Sequence, residues 1–324
     1  MNKVAREPKN FRYVFSNKFT PLLTVKPGEE FLLETEDAFE GKIREKTQLP
    51  VASLLPGLHR FPPYLNPLCG PIYIEGAERG DLLAVTIHDI EPQEQGVSVI
   101  IEGFGPLADS ASWPECHGPF TRILPYERGK SGKFKDGRII FNEKLSWPMA
   151  PFMGCIGTAP DFEEISSLVG PYDGQAVGAF GGNWDSREVR EGNRIYLPVY
   201  NQGALLYLGD MHASQGDAEW TGVAVETRGE LRVSCEVIKK KQIRYPRIET
   251  PTSMIQMNNG RPLERSISQA WIWMMEWLVA EYKFSKIDAH QFISCCPDAR
   301  INVYQMIPEN WYTVGVEIPK RYLS

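Results

Sequence analysis

At 324 residues, with 42% apolar and 23% charged residues, the chain can bury a substantial core and is neither disordered nor fibrous. Its formal net charge of −6 at pH 7 speaks against a nucleic-acid partner, because phosphate binding wants a basic face. Residues 1–7 lack the apolar run of a secretory signal and no window approaches the ~18 apolar residues of a membrane span, so a cytoplasmic chain with no membrane partner is expected. The six cysteines (69, 116, 155, 235, 295 and 296) show no CxxC spacing, so free thiols are expected. The vicinal Cys295–Cys296 pair is the one candidate for a redox bridge.

Taken in order, glycine and proline punctuate short apolar runs, which predicts a mainly β protein. Strands are expected at 31–35, 72–76, 82–87, 97–101 and 138–141. Leu231, Val233, Cys235 and Val237 alternate with polar residues, the period-two mark of a half-buried strand, with Arg228-Gly229 as the turn before it. Residues 103–137 and 145–185 are poor in strand signal and read as long site-forming loops. The C-terminal quarter differs. Ile267, Ala270, Trp271, Met274, Leu278 and Tyr282 fall at helical spacing within 263–283, and Trp273 and Trp277 widen the apolar face, for burial against a sheet or a subunit. A short helix over 287–294 and a strand over 300–306 follow. Residues 1–250 are therefore expected to form a mostly β catalytic core, and 251–324 an α+β portion packed on it.

The densest chemistry lies at 209–219, GDMHASQGDAE, between two apolar flanks. If 205–212 is a strand, Asp210 and His212 share a face. Asp217 and Glu219 then share a face on an outgoing strand beyond the turn at 214–216. Histidine with carboxylates suits zinc or a similar divalent ion, calcium among them, and an open catalytic site needs about three protein ligands. A surface turn whose polar groups satisfy the backbone accounts for the same residues equally well. A second cluster, Gly181-Gly182-Asn183-Trp184-Asp185, can present an amide and a carboxylate together; an Asx-turn is the plainer reading. A third, 34–41, ends in Asp37, which either reaches a site or caps a solvated turn. The adjacent Cys116 and His117 diverge and make a poor dyad. Cys155 sits in a Gly-rich apolar run, as an inert buried thiol or, in a rival scheme, a nucleophile.

Residues 209–226, GDMHASQGDAEWTGVAVE, resemble the signature GD-x-H-A-x-Q-G-D-G-E-x-x-G-x-A-x-E of acetamidase/formamidase proteins, departing from it at Ala218. Asn66-Pro67 with the segment 70–77, Pro151-Phe152 with 154–160, and 181–185 resemble further blocks of that family in the same order. Two other departures are Cys155, where an aliphatic residue is usual, and Thr252-Ser253-Met254 in place of an acidic start.

The resemblance implies a mainly β fold of sandwich and barrel-like units with a smaller C-terminal α/β portion, in a homo-oligomer. It implies hydrolysis of a small linear amide to carboxylate and ammonia by a metal-activated water. By position Asp185 and His212 would hold the metal, with Glu219 or Asp37 completing the shell. Glu219 or Asp210 would move the proton, and Asn183 and Gln215 would face the oxyanion. A lactam or carbamoyl hydrolase, and a non-catalytic binding or assembly protein on the same fold, are the rivals.

Overall fold

Period-two burial builds the first of two large sheets. Phe31, Leu33 and Thr35 point inward from Glu30–Thr35, as do Leu231, Val233 and Cys235 from Gly229–Ile238. One face is packed and the other wet, which is what alternation means physically. The computed structural model describes residues 1–59, 63–162, 164–168, 176–307 and 311–323. Among these, nine strands form this sheet, with Gly229–Ile238 lying antiparallel between Glu30–Thr35 and Leu82–Pro92. Ser253–Gly260, Tyr312–Pro319 and Arg300–Gln305 continue it to its far edge.

The second sheet has twelve strands among the described residues. At its centre Leu206–Ser214 pairs antiparallel with Phe152–Thr158, which pairs in turn with Gly181–Asn183. On its other side Leu206–Ser214 meets Val225–Glu226. The two sheets share one apolar core: Leu83, Val85, Ile87 and Val233 of the first pack with Met153, Ile156, Leu208 and Met211 of the second. The protein is thus a layered, mainly β structure, as expected.

The C-terminal helices cover part of the first sheet. Helix α1, Leu263–Tyr282, buries Ala270, Met274, Trp277 and Leu278 against Met254, Val314, Val316 and Ile318. Two of its tryptophans meet this chain's own residues beside and within the sheet: Trp273 stacks on Tyr245 and Arg247 lies over Trp277. Helix α2, Lys286–Cys295, begins at Ser285, whose hydroxyl accepts the Asp288 N–H at 3.0 Å, a cap worth about 1 kcal/mol. Among the described residues no helix is long and apolar enough to cross a membrane.

Two expectations need correction. The stretch 103–137 contains the strand Phe120–Glu127, paired residue for residue with Gln95–Ile100. Its inward Thr121, Leu124 and Tyr126 are broken up by Arg122 and Pro125, which hides the pattern. The stretch 145–185 holds Phe152–Thr158, buried at every position, and, among the described residues, three short strands after it. A strand covered on both faces loses its alternation, and its two glycines lower its apparent β propensity. Residues 163 and 169–175 of that stretch lie outside the described residues. All six cysteines are free thiols, the 295–296 pair included.

Candidate functional site

Three segments converge inside the second sheet. His212 comes from Leu206–Ser214, opposite Phe152 on one side and Glu226 on the other, and the Phe152 ring meets the imidazole edge-on at 4.9 Å. Asp185 follows Gly181–Asn183. Glu219 closes a tight turn, Asp217–Glu219. The backbone is left-handed at Asp185 (φ 49°), Asp210 (φ 59°), Ala218 (φ 69°) and Glu219 (φ 44°). Each costs roughly 1–2 kcal/mol for an L-residue, and such strain persists where the surroundings over-determine it.

This geometry alters the expected strand logic. Asp210 does meet His212, Oδ1 to Nε2 at 3.4 Å, but through a left-handed kink rather than simple alternation. Asp217 and Glu219 do not share a strand face. The turn sends Glu219 inward and leaves Asp217 exposed and paired with Arg187.

Asp185, Asp210, His212, Glu219 and Glu226 are all buried. Their ligand atoms form two overlapping groups, Asp185–His212–Glu219 and Asp210–His212–Glu226, each within 4.8 Å. Glu226 Oε2 lies 3.1 Å from His212 Nε2. Among the described residues no lysine or arginine forms an ion pair with these four carboxylates. Burying that much like charge without a cation is costly. The consequence is visible in protonation. Burial, then the Asp210 charge, pushes Asp185 up to about 6. Burial raises Asp210 as well, and burial followed by Asp185 holds Glu219 well above the usual carboxylate range. Burial alone would lower His212, but Glu226 and Asp210 outweigh it and hold the imidazole well above its ordinary value.

The amides are fully committed. Gln215 donates both N–H groups to backbone carbonyls, Asp185 and Tyr304, at 2.9 Å each. Its Oε1 therefore accepts from His212 Nδ1 at 3.0 Å, which places the proton there and leaves Nε2 facing Asp210 and Glu226. Asn183, with its amide nitrogen toward the carboxylates, donates to Asp210 Oδ2 and Asp185 Oδ1 at 3.1 Å each. Both side chains organise the acids and the imidazole; neither has an N–H to spare for an oxyanion. Gly154 makes room: a Cβ there would stand 2.5 Å from Asp210 Oδ2 and 2.6 Å from Asp185 Oδ1.

The site can hold a divalent cation. Its donors are carboxylate oxygens and an imidazole nitrogen whose other N–H is fixed by a hydrogen bond, the usual arrangement of a ligating histidine. Asp210 Oδ1 and Glu226 Oε2 are buried and face no other donor than His212 Nε2. Asp37 stands outside both groups. Its Oδ1 accepts the Phe39 and Gly41 N–H groups and its Oδ2 meets Arg44 at 3.3 Å, so it caps its own turn. Cys155 does reach the site: Sγ lies 3.1 Å from the Asn183 amide head and 3.8 Å from Asp210 Oδ2. Burial, then Asp210, raises its pKa well above the ordinary thiol range, so it stays protonated. Glu226 and Gln305 were missed as site residues by the sequence reading. Glu226 had a signal, as the last position of the 209–226 signature; Gln305, which donates to Asp185 Oδ2, had none. An open cleft of about 400 Å³, lined by Phe141, Trp147 and Val223 among others, includes Ser214, Gln215 and Gly216 in its wall.

Fold and site together define a mainly β protein with a buried carboxylate–histidine centre suited to a cation. Residues 2–168 and 177–319 match the Acetamidase/Formamidase family, and the chain belongs to it. A solved acetamidase from Yersinia enterocolitica is 31% identical with a TM-score of 0.85, covering 98% of this chain and 90% of that one. An acetamidase structure from Bacillus halodurans is 29% identical with a TM-score of 0.84, covering 97% and 96%. The acetamidase of Mycolicibacterium smegmatis is 30% identical over 262 residues, 67% of this chain. That match spans 63% of the relative's own length.

Proposed function

We propose that this chain is an amidase that hydrolyses the C–N bond of a small linear amide to a carboxylate and ammonia. The observation that carries the reading is the buried group of four carboxylates around His212, with Nε2 left open by Gln215. Membership of the acetamidase/formamidase family supports the substrate class. Asp185, His212 and Glu219 would hold a divalent metal, with zinc the ion their donor set suits best. A bound divalent ion supplies Lewis acidity and a nucleophilic water near neutral pH.

Amide nitrogen is a poor leaving group and needs a proton as it departs. Asp210, whose carboxyl burial raises above its ordinary value and which faces Glu226 across His212 Nε2, is the donor we assign. Asn183 keeps Asp185 and Asp210 apart in role by bridging them with its two N–H groups. The cleft beside Gln215 suits the approach of a small neutral molecule. A cytoplasmic homo-oligomer is the expected working form, the free thiols fitting a reducing compartment; light scattering measures the assembly.

The test is ammonia release from formamide, acetamide, larger linear amides and small lactams, beside elemental analysis of the purified protein. Linear amides should be cleaved, chelation should abolish the activity, and zinc should restore it. Full activity after complete metal removal would refute the metal assignment. Hydrolysis of lactams alone, or of nothing in the panel, would refute the amidase reading.

A further inference from the structure

The edge strand Arg300–Gln305 and the residue after it reach three separate parts of the centre, although the strand belongs to the other sheet. The Tyr304 carbonyl accepts from Gln215 Nε2 at 2.9 Å, and Gln215 in turn holds His212 Nδ1. Gln305 Nε2 donates to Asp185 Oδ2. The Met306 N–H donates to the Ala218 carbonyl at 2.7 Å, at the left-handed turn that presents Glu219. Consecutive residues 304, 305 and 306 thus each fix one member of the Asp185–His212–Glu219 group.

The geometry points to 304–306 as a clamp from the C-terminal portion, with Gln305 the positioning residue of the metal centre. Gln305 is 1% exposed, and its amide gives the buried Asp185 a neutral donor in a cluster otherwise short of positive charge. A neutral N–H orients the carboxylate without removing its charge, so the other oxygen keeps its capacity as a ligand. An arginine or lysine there would compete with a divalent ion; an amide does not. The three contacts also make the centre depend on how the far edge of the first sheet sits against the second.

This inference rests on the metal reading above, and the experiment separates the two. Gln305→Met keeps the side chain's length and loses the donor; Gln305→Asn keeps the amide and shortens its reach. Zinc affinity is measured by chelator competition, with melting temperatures taken in excess zinc and after stripping. Wild type should bind zinc, and both variants should bind at least about ten-fold more weakly, as loss of an outer hydrogen bond to a ligand does. The zinc-induced rise in melting temperature should shrink, whereas a merely structural role lowers both melting temperatures alike. Equal zinc affinity in wild type and variants overturns the clamp. If wild type cleaves amides but binds no metal, the metal reading fails, and kcat/KM decides the clamp. A fall of about ten-fold at an unchanged melting temperature upholds positioning of Asp185, and an unchanged kcat/KM overturns it. Should Gln305→Met not fold, Gln305→Asn carries each comparison.

Discussion

Gln215 Oε1 sits 3.0 Å from His212 Nδ1, and the same amide spends both its N–H groups on backbone carbonyls. One side chain thereby fixes the Nδ1 proton and the rotation of the His212 imidazole. Gln215→Leu removes that constraint and leaves two buried carbonyls unpaired. Metal affinity should fall by about 10–100-fold, measured by chelator competition, with a parallel loss of kcat/KM.

Protonation and metal binding should oppose each other. Asp185 rises from an ordinary value near 3.8 to about 6 in the fold, and Asp210 and Glu219 move the same way. A carboxylate raised on folding binds more protons folded than unfolded, so its stabilisation is present at low pH and is lost as pH rises through the folded value. His212, also raised, has the same sign. The metal-free protein should therefore melt at a lower temperature near about pH 8.5 than near about pH 6. A saturating divalent ion should remove most of that difference. Differential scanning fluorimetry at several pH values, with and without zinc, reads both.

Gly154 has no spare volume. A methyl group there would lie 2.5–2.6 Å from one oxygen of Asp210 and one of Asp185. Gly154→Ala should displace both carboxylates, cost about 1–3 kcal/mol in stability, and abolish amide hydrolysis. Retained kcat in a folded variant would show that the two acids need not converge.

Ala218 is left-handed (φ 69°) beside the equally left-handed Glu219, at the position where the family signature carries glycine. Ala218→Gly relieves a strain of about 1–2 kcal/mol, partly offset by the added freedom of glycine in the unfolded chain. A net gain of up to about 1 kcal/mol is expected in the urea unfolding midpoint, with activity unchanged.

The Cys155 thiol is buried against Asp210 and is held protonated. Cys155→Ala should keep amide hydrolysis within about ten-fold of wild type, since a neutral buried thiol makes a poor nucleophile. A complete loss of activity in the folded variant, together with covalent labelling of wild type by an acylating amide analogue seen by mass spectrometry, would revive the thiol scheme.

Local pattern alone determined a good deal here. Alternation at 231–237 marks a strand with one wet face, and helical spacing from 267 to 282 marks the α1 face that packs on the sheet. The run 209–219 is legible as candidate site material because its polar groups lie densely between apolar flanks, whereas Asp185 is marked only by the resemblance of 181–185 to a family block. Tertiary structure decided what those groups do. A strand buried on both faces, such as Phe152–Thr158, carries no alternation to read, so the wall of the centre looked like loop. Left-handed residues at 185, 210, 218 and 219 aim the carboxylates where no strand periodicity would place them. Gln305 enters from another sheet, 120 residues away from Asp185 in sequence, and Asp37 is retained by its own turn. Side-chain convergence of that kind is set by how the two sheets pack on each other, a relation between distant segments that no local window contains.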